Sequence, residues 1–159
     1  MAEDTGYSVV WHPETIEHGA VETLRALRDQ SLIGDAYLAG GTALALHFGH
    51  RISVDLDFFV PAFFEEDQPL ARLKALTGFS LAAKAPSTIH AAMQGTKLSF
   101  LGYPYPALFP MARFEGVPVA DPRDIACMKV SAIASRGAKR DFFDLYVASE
   151  RFGLGNILN

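Results

Sequence analysis

The stretch LAGGTALALHFGHRISVDLDFF, residues 38–59, alternates between two local grammars and decides how the rest of the chain is read. Ala36 to Ala39 is a short apolar strand that runs directly into Gly40, Gly41 and Thr42, and Ala43 to Phe48 then reads as a helix closed by Gly49 and His50. Val54 to Val60 has the β-branched and aromatic content of a second strand, interrupted by Pro61. A strand has a side-chain period of two. Asp55 and Asp57 therefore share one face while Val54, Leu56 and Phe58 are expected on the other.

Two carboxylates on one strand face repel each other unless a cation or basic group lies between them, and two hard oxygen donors suit Mg²⁺ when phosphate oxygens complete its shell. The same spacing also arises on a solvated strand face. Gly40 and Gly41 stand between a strand and a helix N-terminus, where bare backbone N–H groups and the helix dipole favour phosphate, and Thr42 adds a hydroxyl donor. Glycines at such a connection also serve purely steric ends. With Arg51, the glycine turn and the acids form a candidate metal and nucleotide site: Gly40, Gly41, Thr42 and Arg51 for the nucleotide, Asp55 and Asp57 for the metal and the catalysis.

Outward from this unit, Pro13 and Glu14 mark a helix start, and Ile16, Ala20, Leu24 and Leu27 fall on one face of a helix that should stop near Gly34. A helix is expected around Leu70 to Thr77, followed by strands at Phe79–Ala83, Thr88–Met93 and Thr96–Leu101. The proline-rich stretch Gly102 to Pro110 reads as an irregular loop. Asp121, Pro122 and Asp124 supply an N-cap, a first-turn proline and a first-turn acid for a helix reaching about Ser135. Gly137 breaks it. Lys139 to Phe152 forms the last helix, with Phe142, Leu145, Tyr146 and Phe152 as expected core contacts. The expected fold is α/β, a mixed sheet of about five strands flanked by helices, in one domain spanning residues 1–159.

With 159 residues, half of them apolar, the chain is long enough for one substantial core. A net charge of −4 gives no global reason to bind nucleic acid, so such binding needs a local patch, for which Arg136, Lys139 and Arg140 are the candidates. Cys127 stands alone and is expected to be a buried small residue. The opening MAEDTGYSVVWHPE lacks the basic start and apolar core of a signal peptide, and no apolar run approaches a membrane span of about 20 residues. These features imply a soluble, cytoplasmic protein.

On the residues quoted, the 38–59 stretch resembles the signature of minimal nucleotidyltransferases related to DNA polymerase beta, and most resembles the AbiEii/AbiGii toxin family. The later segment DPRDIACMKVSAIASRGAKRDFFDLY, residues 121–146, is similar to that family's second conserved region. The resemblance implies a nucleotidyltransferase fold, two Mg²⁺ ions, and transfer of a nucleoside monophosphate from an NTP to an RNA such as tRNA, or to a protein. It implies a toxin-like role in a toxin–antitoxin or phage-defence pair, with an antitoxin as partner. It also implies that Lys129 contacts the triphosphate and that Asp141 belongs to the catalytic site, with Asp144 in it or supporting it. On spacing alone, Asp141 and Asp144 share a helix face and equally form a structural ion-pair network.

Active members of the superfamily that the chain resembles usually carry a third carboxylate on a later strand. Ser99, in Lys97-Leu98-Ser99-Phe100-Leu101, occupies that place, and a serine is neither an anionic ligand nor a strong base at neutral pH. Two other functions therefore stay open: a catalytically impaired nucleotide-binding module that acts on a partner protein, and transfer to a small molecule such as an antibiotic. His47, His50 and His90 lack metal-site spacing and read as surface or cap residues; Trp11, Phe63 and Phe64 read as core or lid packing.

Overall fold

The computed structural model describes residues 7–159; the first six residues of the opening stretch weighed against a signal peptide lie outside the described residues. After a 3-10 turn at Pro13–Thr15, the elements in chain order are α1 (His18–Asp29), β1 (Tyr37–Ala39), α2 (Gly40–Phe48), β2 (Leu56–Val60) and α3 (Asp67–Lys74). They continue with β3 (Phe79–Ala85), β4 (Thr88–Met93), β5 (Thr96–Gly102), β6 (Ala112–Phe114), β7 (Val117–Val119), α4 (Pro122–Ser135), α5 (Lys139–Phe152) and α6 (Leu154–Leu158).

The strands form one mixed sheet in the order β3-β4-β5-β2-β1-β7-β6. It has seven strands rather than about five. The two additional ones, β6 and β7, are three residues each and are joined by Glu115 and Gly116, both at positive φ. Pro118 in β7 removes a ladder donor and disguises the strand in sequence. β1 runs antiparallel to β2 and parallel to β7, while β2 runs parallel to β5.

Apolar burial follows the strand and helix periods. Leu56 and Phe58 are fully buried, and Phe58 stacks on Phe100 of β5 with ring centroids 5.1 Å apart. Val54 departs from the expectation: it lies ahead of β2 and is exposed, so the inward alternation begins at Leu56. In α1, Ala20, Leu24 and Leu27 are buried, as is Ile16 just ahead of the helix. α2 is buried from Gly41 to Phe48 and packs on α4 and α5, as an all-round apolar helix must. Asp121 caps α4 by accepting the Arg123 backbone N–H, and Pro122 opens the helix.

On α5 the buried stripe is Asp141, Asp144 and Ala148. Phe142 and Tyr146, expected in the core, are instead exposed, because two acids occupy the inward-facing positions of this helix. Leu145 and Phe152 do pack against the core. Cys127 is half-buried, with its Sγ 3.5 Å from the Ile157 carbonyl, rather than fully enclosed. Among the described residues no helix is long and apolar enough to cross a membrane.

Candidate nucleotide and metal site

The register of β1 and β2 builds the site. Ala39 pairs with Asp57, so the turn that leaves β1 at Gly40 starts beside the Asp57 side chain. Gly40 has φ +72, and a Cβ there would sit 2.8 Å from Asp57 Oδ2. Gly41 has an ordinary φ but no room: a Cβ would collide with Arg51 Nη2 and approach Asp144 Oδ2 to 3.3 Å. The two glycines are thus required by the side chains packed over them, whatever their amides bind.

A cleft of about 640 Å³ opens here. Gly40, Gly41, Thr42, Arg51, Asp55, Asp57, Lys129 and Asp141, all singled out from sequence, line it; Asp144 lies behind that lining. Arg136 and Arg140 line the same cleft from the α4–α5 junction, and Phe59, Tyr103, Ile125 and Met128 give it an apolar wall. Arg136 and Arg140, read from sequence as part of a nucleic-acid patch, are therefore at the mouth of the candidate site.

Behind the cleft lies a dense ion-pair network. Asp144 is fully buried; it accepts hydrogen bonds from Arg51 Nε at 2.7 Å and Arg51 Nη2 at 2.8 Å, and its Oδ1 lies 2.7 Å from His50 Nε2. Lys129 Nζ lies 2.8 Å from both Asp144 Oδ2 and Asp141 Oδ1. Burial works against ionising Asp144, but the bonds from Arg51, His50 and Lys129 outweigh it and hold the carboxyl well below the usual carboxylate range. The hydrogen bond to Asp144 in turn raises Arg51 further above its ordinary value.

Arg51 is therefore tied to α5 rather than to Asp55 or Asp57. Thr42 is likewise engaged: its hydroxyl donates to the Asp55 carbonyl and meets Ser53 Oγ at 2.7 Å, which fixes the loop carrying the first acid. His50, read as a cap or surface residue, is a buried member of the network. His47, read the same way, is buried between the Tyr7 hydroxyl and the Ala120 carbonyl, each 2.8 Å away, and burial lowers its pKa.

In the cleft itself the acids are less well compensated. Burial, and then the Asp55 charge, push the Asp57 carboxyl above its ordinary value, with Lys129, Arg136 and Arg140 opposing the rise. Asp141 Oδ2 is buried without a hydrogen-bond partner among the described residues, with Arg136 Nε 3.6 Å away. No group of three or more His, Cys, Asp or Glu side chains among the described residues is arranged to hold a metal. The candidate donors are Asp55 and Asp57, which both line the cleft. That pair fits a hard cation whose remaining ligands are waters and substrate phosphate oxygens, the usual condition of protein-bound Mg²⁺.

Ser99 stands on β5 directly opposite Asp57 on β2, so the sheet places a hydroxyl next to the second acid. His90 on β4 stands opposite Ser99, and its Nδ1 is 2.8 Å from Ser99 Oγ. Both line the cleft. Sequence reading set His90 aside for want of metal-ligand spacing, yet a signal for it exists. Gln94 and Gly95 form a two-residue turn with positive φ at both positions, which sets Met93 opposite Thr96 and, counting back, His90 opposite Ser99.

The chain is similar to several known proteins. The family model of the nucleotidyl transferase AbiEii toxin of a type IV toxin–antitoxin system matches residues 22–106. An uncharacterized protein of Aquifex aeolicus, aq_aa25, is 36% identical over 136 residues, which cover 83% of this chain and 66% of that protein. This chain thus spans just under two thirds of the relative's length. Among solved structures, JHP933 of Helicobacter pylori superposes with a TM-score of 0.57 at 23% identity, over 86% of this chain and 68% of that one. The antibiotic-resistance factor ANT(2'')-Ia superposes with a TM-score of 0.62 at 15% identity, over 86% of this chain and 88% of that one. The structural likenesses establish a nucleotidyltransferase fold, and the family match extends through the glycine turn, both acids and the His90–Ser99 hairpin: the chain belongs to the AbiEii nucleotidyltransferase toxin family.

Proposed function

We propose that the cleft binds an NTP with Mg²⁺ at Asp55 and Asp57 and transfers its nucleoside monophosphate to an acceptor hydroxyl, releasing pyrophosphate. The observation that carries this reading is the pairing of Ala39 with Asp57, which joins a helix-opening glycine turn to a carboxylate pair within one cleft. When bound between those acids, Mg²⁺ would supply charge neutralisation for the phosphates and for the attacking and leaving oxygens, with two ions as the expected complement.

The chain's own groups divide the remaining work. The amides of Gly40 and Gly41 at the start of α2 face phosphate with the positive end of the helix dipole. Lys129 spends two of its three N–H donors on Asp141 and Asp144, leaving one for the cleft. Because Arg51 and Lys129 are balanced by Asp144 and Asp141, the cationic charge available to a triphosphate or to an acceptor backbone comes mainly from Arg136 and Arg140. The catalytic role of Asp141 is then to hold Lys129 and to meet Arg136. Arg51 braces the loop of the acids against α5, which is how it serves the nucleotide site.

Cations at the mouth favour a polyanionic acceptor, such as tRNA or another RNA, over a cationic small molecule. This reading includes a toxin-like role in a cytoplasmic toxin–antitoxin or phage-defence pair, with an antitoxin as the protein partner. The test is Mg²⁺-dependent pyrophosphate release from each of the four NTPs with bulk tRNA, comparing the protein with an Asp55→Ala, Asp57→Ala double variant. Release confined to the unaltered protein supports the transferase. NTP binding without release under any condition would favour an impaired nucleotide-binding module.

A further inference from the structure

We propose that Ser99 and His90 form a proton relay that takes over the base function a third carboxylate would perform; this rests on the transferase reading above. The relay follows from distances across the sheet. Neighbouring strands lie about 4.8 Å apart. Ser99 on β5 is one strand from Asp57, close enough for its hydroxyl to meet an acceptor oxygen held at the acids. His90 on β4 is two strands away, roughly 10 Å by the same spacing, and reaches that oxygen only through Ser99.

The hydrogen bond supplies the connection. With its ring proton on Nε2, neutral His90 accepts the Ser99 O–H at Nδ1, 2.8 Å away, which turns the serine lone pairs toward the cleft. As the acceptor oxygen bonds to the α-phosphorus, its proton passes to Ser99 Oγ and the Ser99 proton passes to His90 Nδ1. The bond from the α-phosphorus to the bridging oxygen breaks, and pyrophosphate leaves with the electron pair. His90 ends protonated and returns its proton to water. Both side chains line the cleft, so neither proton crosses the core.

The surroundings contain few rivals for this role. On the same sheet face, by strand alternation, the charged groups are Lys97 of β5 and Asp57 of β2, with Asp55 in the loop just ahead of β2, and β3 sets Ala83 opposite His90. The helices add Lys129, Arg136 and Arg140 to the same cleft, with Asp141 engaged by Lys129 and Arg136. A lysine is protonated at neutral pH, and the two acids are assigned to the metal. Ser99 is the group that touches the acceptor, and His90 acts through it.

The test is steady-state pyrophosphate release with saturating NTP, Mg²⁺ and bulk tRNA in the unaltered protein, His90→Ala, Ser99→Asp and the double variant. General-base contributions run to about 100-fold or more. His90→Ala should lower kcat by about that factor with KM for NTP within about twofold and the melting midpoint unchanged. Ser99→Asp in the His90→Ala background should restore kcat to within about tenfold, because an aspartate accepts the proton directly. An unaltered rate in His90→Ala, or no restoration in the double variant, overturns the relay while leaving the transferase intact. No turnover by the unaltered protein with any NTP instead removes the reading on which the relay rests. Nitrogen-15 NMR of the His90 ring is a readout independent of turnover: a proton found on Nδ1 at neutral pH overturns the relay, and a bare, hydrogen-bonded Nδ1 that changes in Ser99→Ala supports it.

Discussion

Gly41→Ala separates the steric and phosphate-binding explanations of the glycine turn, because they predict opposite couplings to Arg51. Gly41 lies in the first turn of α2 at an ordinary φ, so alanine suits the backbone and would add up to about 1 kcal/mol of helix propensity. Its Cβ, however, collides with Arg51 Nη2. The guanidinium must move, and it is held by two hydrogen bonds of 2.7 and 2.8 Å to the fully buried Asp144. Charge-assisted bonds contribute about 1.5–3 kcal/mol each. Losing most of both, less the propensity gain, gives a net cost of about 2–4 kcal/mol. For a domain of this size that is a fall in melting midpoint of roughly 5–15 °C.

In an Arg51→Ala background the collision is gone. Only the 3.3 Å approach to Asp144 Oδ2 remains, which a shift of a few tenths of an ångström relieves, so the same Gly41→Ala change should become neutral or stabilising by up to about 1 kcal/mol. Thermal unfolding followed by circular dichroism on the four proteins, without nucleotide, reads the cycle. An equal loss in both backgrounds, or no loss in the first, would refute the steric argument and return Gly41 to a purely phosphate-binding role.

Three further outcomes are expected. Asp144→Ala leaves Arg51 and Lys129 short of their counter-charge in the interior and should cost about 3–5 kcal/mol at pH 7, measured by urea unfolding; a loss under about 1 kcal/mol would contradict the network. Because the Asp144 carboxyl is depressed, that stabilisation is complete above the unfolded value near pH 4 and fades below it, so the variant and the unaltered protein should converge in acid. Asp57→Asn should raise the melting midpoint in metal-free buffer at pH 7 while abolishing turnover. Its raised carboxyl pKa destabilises the fold above that pKa and ceases to do so as pH falls below the unfolded value, so a midpoint gain that persists undiminished in acid would count against this cause. His47 is held neutral by burial, so its contribution is complete above about pH 6.5 and declines as pH falls. The midpoint should drop between pH 7 and 5, and a His47→Gln variant showing the same drop would assign it elsewhere.

How much of this was legible in the sequence depended on the range of the interaction that fixes each feature. The strand, glycine turn, helix and strand of residues 36–60 are set by local period and punctuation, although β2 begins only at Leu56; Asp57 lines the cleft from that strand and Asp55 from the loop just ahead of it. α4 was legible for the same reason, since Asp121 and Pro122 are local start signals. β6 and β7 were missed because three-residue strands carry too little alternation, and Pro118 argues against one of them, although the positive-φ pair Glu115 and Gly116 marks their turn.

Partner choice is a different matter. Nothing local tells Arg51 to bind Asp144, 93 positions away, rather than the acids four and six residues along its own chain. α5 was read as an apolar helix with Phe142 and Tyr146 inward, yet the buried stripe carries Asp141 and Asp144, because Lys129 and Arg51 arrive from α4 and the β2 approach to neutralise them. His90 became a candidate only once β5 lay between β4 and β2.

The sequence by itself determined most of the helices, five of the seven strands, the carboxylate spacing and the family, because these rest on residue type and spacing within a few tens of positions. The tertiary structure alone decided which cations are tied up behind the cleft and which remain at its mouth, because charge pairing in the interior is settled by which helices meet after the sheet has formed.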